Sequence, residues 1–185
     1  MGINDSLLTS TGQGQNPLEA TLDQWSNETI DKLRQSLDEN NSSGTSGALR
    51  QSIEALAIQQ TETGISVTIV AEDYYKYIDQ GVQGVGGENK SKGGTFPNVA
   101  PNSPFSYKQG VKPSAKHFDL WARVKGLNPF AVRESVFRKG LTPSYFYSKV
   151  MTDEWIDELS KRLETAGAGT VEIIIKESIE NGNNN

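Results

Sequence analysis

Residues Gly81 to Pro113 form a 33-residue stretch holding seven of the chain's 18 glycines and four of its seven prolines, with only scattered Val, Phe and Tyr between them. Proline lacks a backbone donor and glycine is easily bent, so neither a long helix nor a central strand runs through such a stretch. Loops beyond about 12–15 residues are uncommon inside compact domains and are usually binding loops or disordered segments. Phe96, Phe105 and Tyr107 are costly residues for a plain linker, so the stretch reads as a loop that orders against a partner. Regular structure is left to its two flanks. The expected organisation is a single α+β domain over 16–180 with 81–113 as an insertion, a flexible arm at 1–15 and a frayed tail at 181–185.

The first flank opens with a full helix-start signal. Asn16 can cap, Pro17 suits the first helical position and Glu19 stands three residues after the cap. Leu18, Leu22, Trp25, Ile30, Leu33 and Leu37 then recur mostly at three- and four-residue spacing, which predicts an amphipathic helix over 17–38. Ile65, Val67 and Ile69 alternate with their neighbours after a turn at 61–64, predicting a β-hairpin of roughly 54–60 with 64–71. Leu49, Ile53 and Leu56 would equally suit a short helix. Asp73 to Gln80 reads as one or two helical turns stopped by Gly81.

The second flank is punctuated by a repeat. Lys125-Gly126-Leu127-Asn128-Pro129 and Lys139-Gly140-Leu141-Thr142-Pro143 carry the same pattern fourteen residues apart. In each, Lys favours a helix end, Gly takes the left-handed position beyond it, Leu folds back, and Asn or Thr caps a helix that Pro opens. Helices are expected near 114–125, 129–139 and 144–165, the last with Phe146, Val150, Trp155, Ile156, Leu159 and Leu163 as its apolar stripe. A final strand over 170–177 could join the hairpin sheet.

Composition removes several kinds of chemistry. The 185 residues include no Cys and one His, so disulfides, thiolate sites and multi-histidine metal sites are out. No apolar run approaches the ~18–20 residues of a membrane span and no secretory leader pattern opens the chain, which reads as made in a cytoplasm. The formal charge of −5 argues against a main task of gripping phosphates. His117 has Asp119 two residues away, a spacing that does not share a helix face. Gly84 to Ser91 approaches a phosphate-binding loop, but Asn89 replaces its second glycine and no helix follows. The acidic pairs 72–73, 153–154 and 157–158 read as solvated faces. No catalytic, cofactor or metal-binding residue is expected.

Two sets of residues invite a binding reading. The helices around 126–129 have a helix-turn-helix outline, with Arg123, Lys125, Arg133, Arg138 and Lys139 making the region basic, so a small DNA-binding regulator is the alternative function. Against it, Phe130, Val132, Val136 and Phe137 are interspersed among those charges. The aromatic runs Tyr74, Tyr75, Tyr77 and Tyr145, Phe146, Tyr147 suit either a core or a subunit interface.

The order of these signals carries a resemblance. An amphipathic helix, LRQSI, an alternating hairpin, Tyr74 to Gly81 (YYKYIDQG), a long Gly/Pro loop, FDLWARVKGL and Gly140 to Phe146 (GLTPSYF) precede a last helix. Over roughly 48–165 this resembles the neck or tail-completion family of tailed bacteriophages, small proteins that join head to tail. The resemblance implies an α+β fold without catalysis, located in the virion after synthesis in the host cytoplasm. It further implies a homo-oligomeric ring of six or twelve copies, contacting portal, neck or tail proteins and surrounding genomic DNA that passes without sequence-specific binding. Its expected interface residues are Tyr74, Tyr75, Tyr77, Gly81 and Gly84, then Phe96, Phe105 and Tyr107 in the loop, and Tyr145, Phe146 and Tyr147 beyond it.

Overall fold

The computed structural model describes residues 16–39, 47–61, 64–89 and 92–168. The arms at 1–15 and 181–185 and the expected strand 170–177 lie outside them.

Helix α1 (Pro17–Glu39) is the spine of the fold. Asn16 caps it, its Oδ1 accepting from the Leu18 amide at 3.1 Å. Its apolar stripe feeds two clusters, one at each end. Leu22 and Trp25 pack with Leu159 and Leu163 of α6 (Asp153–Thr165). Ile30, Leu33 and Leu37 pack with Leu49, Ile53 and Phe146. Each of these fully buried side chains stabilises by roughly 1.5–3 kcal/mol. At the first cluster the Trp25 and Trp155 rings stack at 5.9 Å. The Trp155 indole N–H donates to Thr29 Oγ1 at 2.9 Å, and that hydroxyl donates to the Trp25 carbonyl at 2.7 Å.

Both readings of 48–71 are realised in sequence. Leu49 lies in a short helix α2 (Ala48–Ser52), and the hairpin begins immediately after it. Strand β1 (Glu54–Ala55) pairs antiparallel with β4 (Ile69–Val70), and β2 (Gln59–Thr61) with β3 (Gly64–Ser66). Between Ala55↔Ile69 and Gln59↔Ser66 one strand holds residues 56–58 and the other only 67–68. The extra residue is a β-bulge, and it breaks the hairpin into two short ladders. The α+β class expected from the sequence is the one observed, in short two-stranded pieces.

Helix α3 (Tyr75–Gln80) stops at Gly81, and β5 (Val82–Gln83) follows directly. A 3₁₀ turn (Ala115–Phe118), α4 (Asp119–Val124) and α5 (Pro129–Lys139) follow the long loop. The two copies of the Lys-Gly-Leu repeat then part ways. At the first, Gly126 sits at φ +65°, the Leu127 amide donates back to the Ala122 carbonyl, and Asn128 Oδ1 caps α5. At the second, Gly140 has φ 95° and ψ −171°, and the chain leaves as β6 (Gly140–Leu141), antiparallel to β5. Thr142-Pro143 therefore opens no helix. The helix expected from residue 144 starts instead at Asp153, capped by Thr152. Residues 144–151 are tied into turns by the end of α3, as described next.

Candidate interaction surface

The segments Tyr74–Gly81 and Gly140–Phe146, far apart in the chain, interlock. The Asp79 carboxylate, 1% exposed, accepts from the amides of Tyr147 (2.8 Å) and Ser148 (3.1 Å) through Oδ1, and from the Ser148 hydroxyl (2.5 Å) through Oδ2. The Tyr145 amide donates to the Asp79 carbonyl at 2.9 Å, and the Ser144 hydroxyl to the Ile78 carbonyl at 2.9 Å. A buried charge is tolerated only when its lone pairs are met, and backbone donors meet them here. These bonds hold Tyr145 at φ +55°, the one described non-glycine residue in the left-handed region.

Glycine is required where the two segments meet. Gly81 (φ 72°, ψ −173°) and Gly140 lie in a backbone region open essentially to glycine alone. A Cβ at Gly84 would come under 3.0 Å from backbone atoms of Arg138, Lys139 and Gly140. Gly81 and Gly84 thus act in close backbone packing within the chain.

The 81–113 loop also packs on its own chain. The Val85, Gly86 and Val99 amides donate to the carbonyls of Phe137, Arg138 and Lys139 at 2.9–3.0 Å. The Ser103 hydroxyl donates to the Gly81 carbonyl at 2.8 Å, and Gln83 bridges in parallel to Ser106. Phe105 meets the edge of Tyr77 at 4.7 Å, and Tyr107 lies 5.9 Å from Phe137. Burial raises the Tyr107 hydroxyl above its usual pKa. Phe96 is half-buried, its amide bonded to the Gly87 carbonyl.

The two aromatic runs divide between core and solvent. Phe146 is buried at 1%, and Tyr75 and Tyr147, 5.5 Å apart, line the same cluster. Tyr74, Tyr77 and Tyr145 are exposed.

Half of the exposed large apolar side chains among the described residues lie elsewhere, at 120–130. Leu120 (57%), Trp121 (38%), Val124 (64%), Leu127 (48%) and Phe130 (62%) stand in solvent within eleven consecutive residues. On α4 the residues Leu120, Trp121 and Val124 share an arc of about 100°, and only Ala122 of that helix is buried. The sequence signal was available, since six residues reading DLWARV carry more large apolar side chains than one buried face needs. Around this face the charges are mostly positive. Between Lys116 and Lys139 there are six Lys or Arg against two Asp or Glu, a net +4 in a chain of −5. Arg123 pairs with Asp119, Arg138 bonds Glu134 and the Gly86 carbonyl, and the Arg133 guanidinium lies over the Phe130 ring at 5.4 Å. Lys112 joins Arg138 on Glu134, and these two cations hold that carboxyl below its usual pKa.

His117 is exposed in the 3₁₀ turn, and its sequence neighbour Asp119 is turned to Arg123. Among the described residues no group of His, Asp or Glu side chains is placed to hold a metal ion, and no helix is long and apolar enough to cross a membrane. Compared with known protein families, curated proteins and solved structures, the chain finds no match.

Proposed function

We propose that the chain is a non-enzymatic structural protein of a tailed-phage virion, forming a ring of six or twelve copies in the neck or tail-completion region. The observation that carries this reading is the run of five exposed large apolar side chains at 120–130, three of them on one side of α4. Single exposed apolar residues are ordinary on a monomer, but large ones gathered on one side of a short helix mark contact with another protein. In a cyclic assembly each copy presents one patch to a different patch of the next. The resemblance of 48–165 to neck and tail-completion proteins supplies the class of assembly, and the acidic net charge suits a conduit along which DNA slides without being held.

The alternative, a helix-turn-helix regulator, has less support. Base-reading side chains in that motif stand in the first turns of the second helix, where this chain carries Phe130, Ala131 and Val132, and an Arg133 whose guanidinium lies over the Phe130 ring. Light scattering and electron microscopy of the purified chain, alone and mixed with tail tubes and portal rings, test the proposal. Closed rings with a central channel are the expected outcome. A chain that stays monomeric with both partners, and binds one duplex sequence with a steep salt dependence, overturns it in favour of the regulator.

A further inference from the structure

We propose, on the ring reading above, that copies join head to tail, the 120–130 face of one docking in the depression between α1 and the bulged hairpin strand of the next. The depression has a volume of about 540 Å³. Its lining includes Leu56, Ala57 and Ile58 at the bulge, with Leu56 45% exposed and Ala57 exposed beside it. Asp23, Asp31 and Glu54 line it as well, and all three are exposed. The Arg34 guanidinium in the same wall is occupied by the carbonyls of Arg50 (3.3 Å) and Ile53 (2.7 Å).

The two surfaces are complementary in kind. One is a group of exposed apolar side chains among positive charges; the other is a depression where Leu56, Ala57 and Ile58 lie beside three carboxylates and one guanidinium. The depression's own lining carries Asp23, Asp31 and Glu54 against Arg34, a net −2, opposite the +4 of 116–139. Two like faces placed together would meet as +4 against +4, whereas face to depression is attractive and sets the register of approach. The bulge thereby gains a purpose: a regular hairpin alternates its side chains, and the extra residue leaves Leu56 and Ala57 outward together. A contact between two different patches generates a ring when its rotation closes.

The chain contains no cysteine, so a thiol introduced at either surface is unique. Leu127→Cys and Leu56→Cys change exposed positions and leave both cores intact. Mixed as full chains under mild oxidation, the two variants are expected to cross-link at least about tenfold faster than either alone, a preference of about 1.4 kcal/mol. Adding Lys125→Glu to the first slows the link, and adding Asp31→Lys to the second restores speed. Lys161→Cys, exposed on α6, marks the collisional rate. Docking is overturned if Leu127→Cys copies link chiefly with each other, which is face-to-face contact, or if the mixed pair links no faster than the control, which leaves the face to a different protein. Electron microscopy of concentrated wild-type chain separates the two proposals. Closed rings without the 56–127 link overturn the docking alone, while the link without closed rings, even when tail tubes and portal rings are added, supports the docking and overturns the neck reading.

Discussion

Asp79 is the residue whose replacement tests the interlock most directly. In Asp79→Ala the amides of Tyr147 and Ser148 and the Ser148 hydroxyl lose a charged acceptor. Three bonds to a charged group, at about 1.5–3 kcal/mol each, give a gross loss of ~4.5–9 kcal/mol. Two effects reduce it. Removing the carboxylate also removes the several kcal/mol needed to desolvate it, and Ser148 is exposed, so its donors regain water. A net loss of about 3 kcal/mol remains, carried mainly by the half-buried Tyr147 amide, and for a chain of this length it lowers Tm by roughly 6–12 °C. Asp79→Asn retains an acceptor at Oδ1 for both amides, and the Ser148 hydroxyl can rotate to accept from the new amide, so the loss is about 1–2 kcal/mol. Urea unfolding followed by tryptophan fluorescence measures both, and hydrogen exchange locates the effect. Tyr147 and Ser148 amides are expected to lose protection before α1 does. A loss below about 0.5 kcal/mol in Asp79→Ala, within the range of ordinary surface substitutions, refutes the anchoring role. So does an Asn variant as damaged as the Ala one.

The two repeat glycines make an internal control. Gly126→Ala, in the left-handed region with open space around it, is expected to cost about 1–2 kcal/mol, whereas Gly140→Ala, whose Cβ would press on the Val82 carbonyl and the Gly84 amide, costs distinctly more; denaturation midpoints compare them. Thr29→Val removes the acceptor of the Trp155 indole N–H at a site 0% exposed, with an expected loss of about 1–3 kcal/mol and a changed tryptophan emission. Bonds from Gln24 and Arg162 hold the Glu28 carboxyl below its ordinary value of 4.5. Because the folded value is the lower one, its contribution is present above pH 4.5 and fades as the pH falls through the folded value; Arg162→Ala should flatten the stability profile in that acid window, as measured by urea unfolding at a series of pH values.

Elements set by local signals were legible in the sequence. Helix α1 needs only its cap, its proline and its stripe, all within one stretch, and it forms where those signals place it. The same holds for the end of α4 at Gly126 and the start of α5 at Asn128. The second copy of the repeat shows the limit of such reading. Its local chemistry matches the first, but Gly140 faces a strand 57 residues earlier, and pairing with Gln83 determines its conformation. The start of α6 was obscured in the same way, since the side chain that captures residues 147 and 148 is Asp79.

The interaction surface was legible only in part. Tyr74, Tyr75, Tyr77 and Tyr145, Phe146, Tyr147 announce contact without saying with what, and only packing sorts Phe146 to the core and Tyr145 to solvent. The face at 120–130 passed as part of a helix-turn-helix outline because a stripe looks the same whether or not something covers it.

What the amino acids determined unaided was the class of fold, the position of its main helix and the absence of cysteine chemistry, because caps, periodicity and composition act over a few residues. What only the tertiary structure decided was where the second repeat becomes a strand, where the hairpin bulges and which apolar side chains remain in water. Each of those depends on atoms brought together from distant parts of the chain, and their free energy has no counterpart in any short window of sequence.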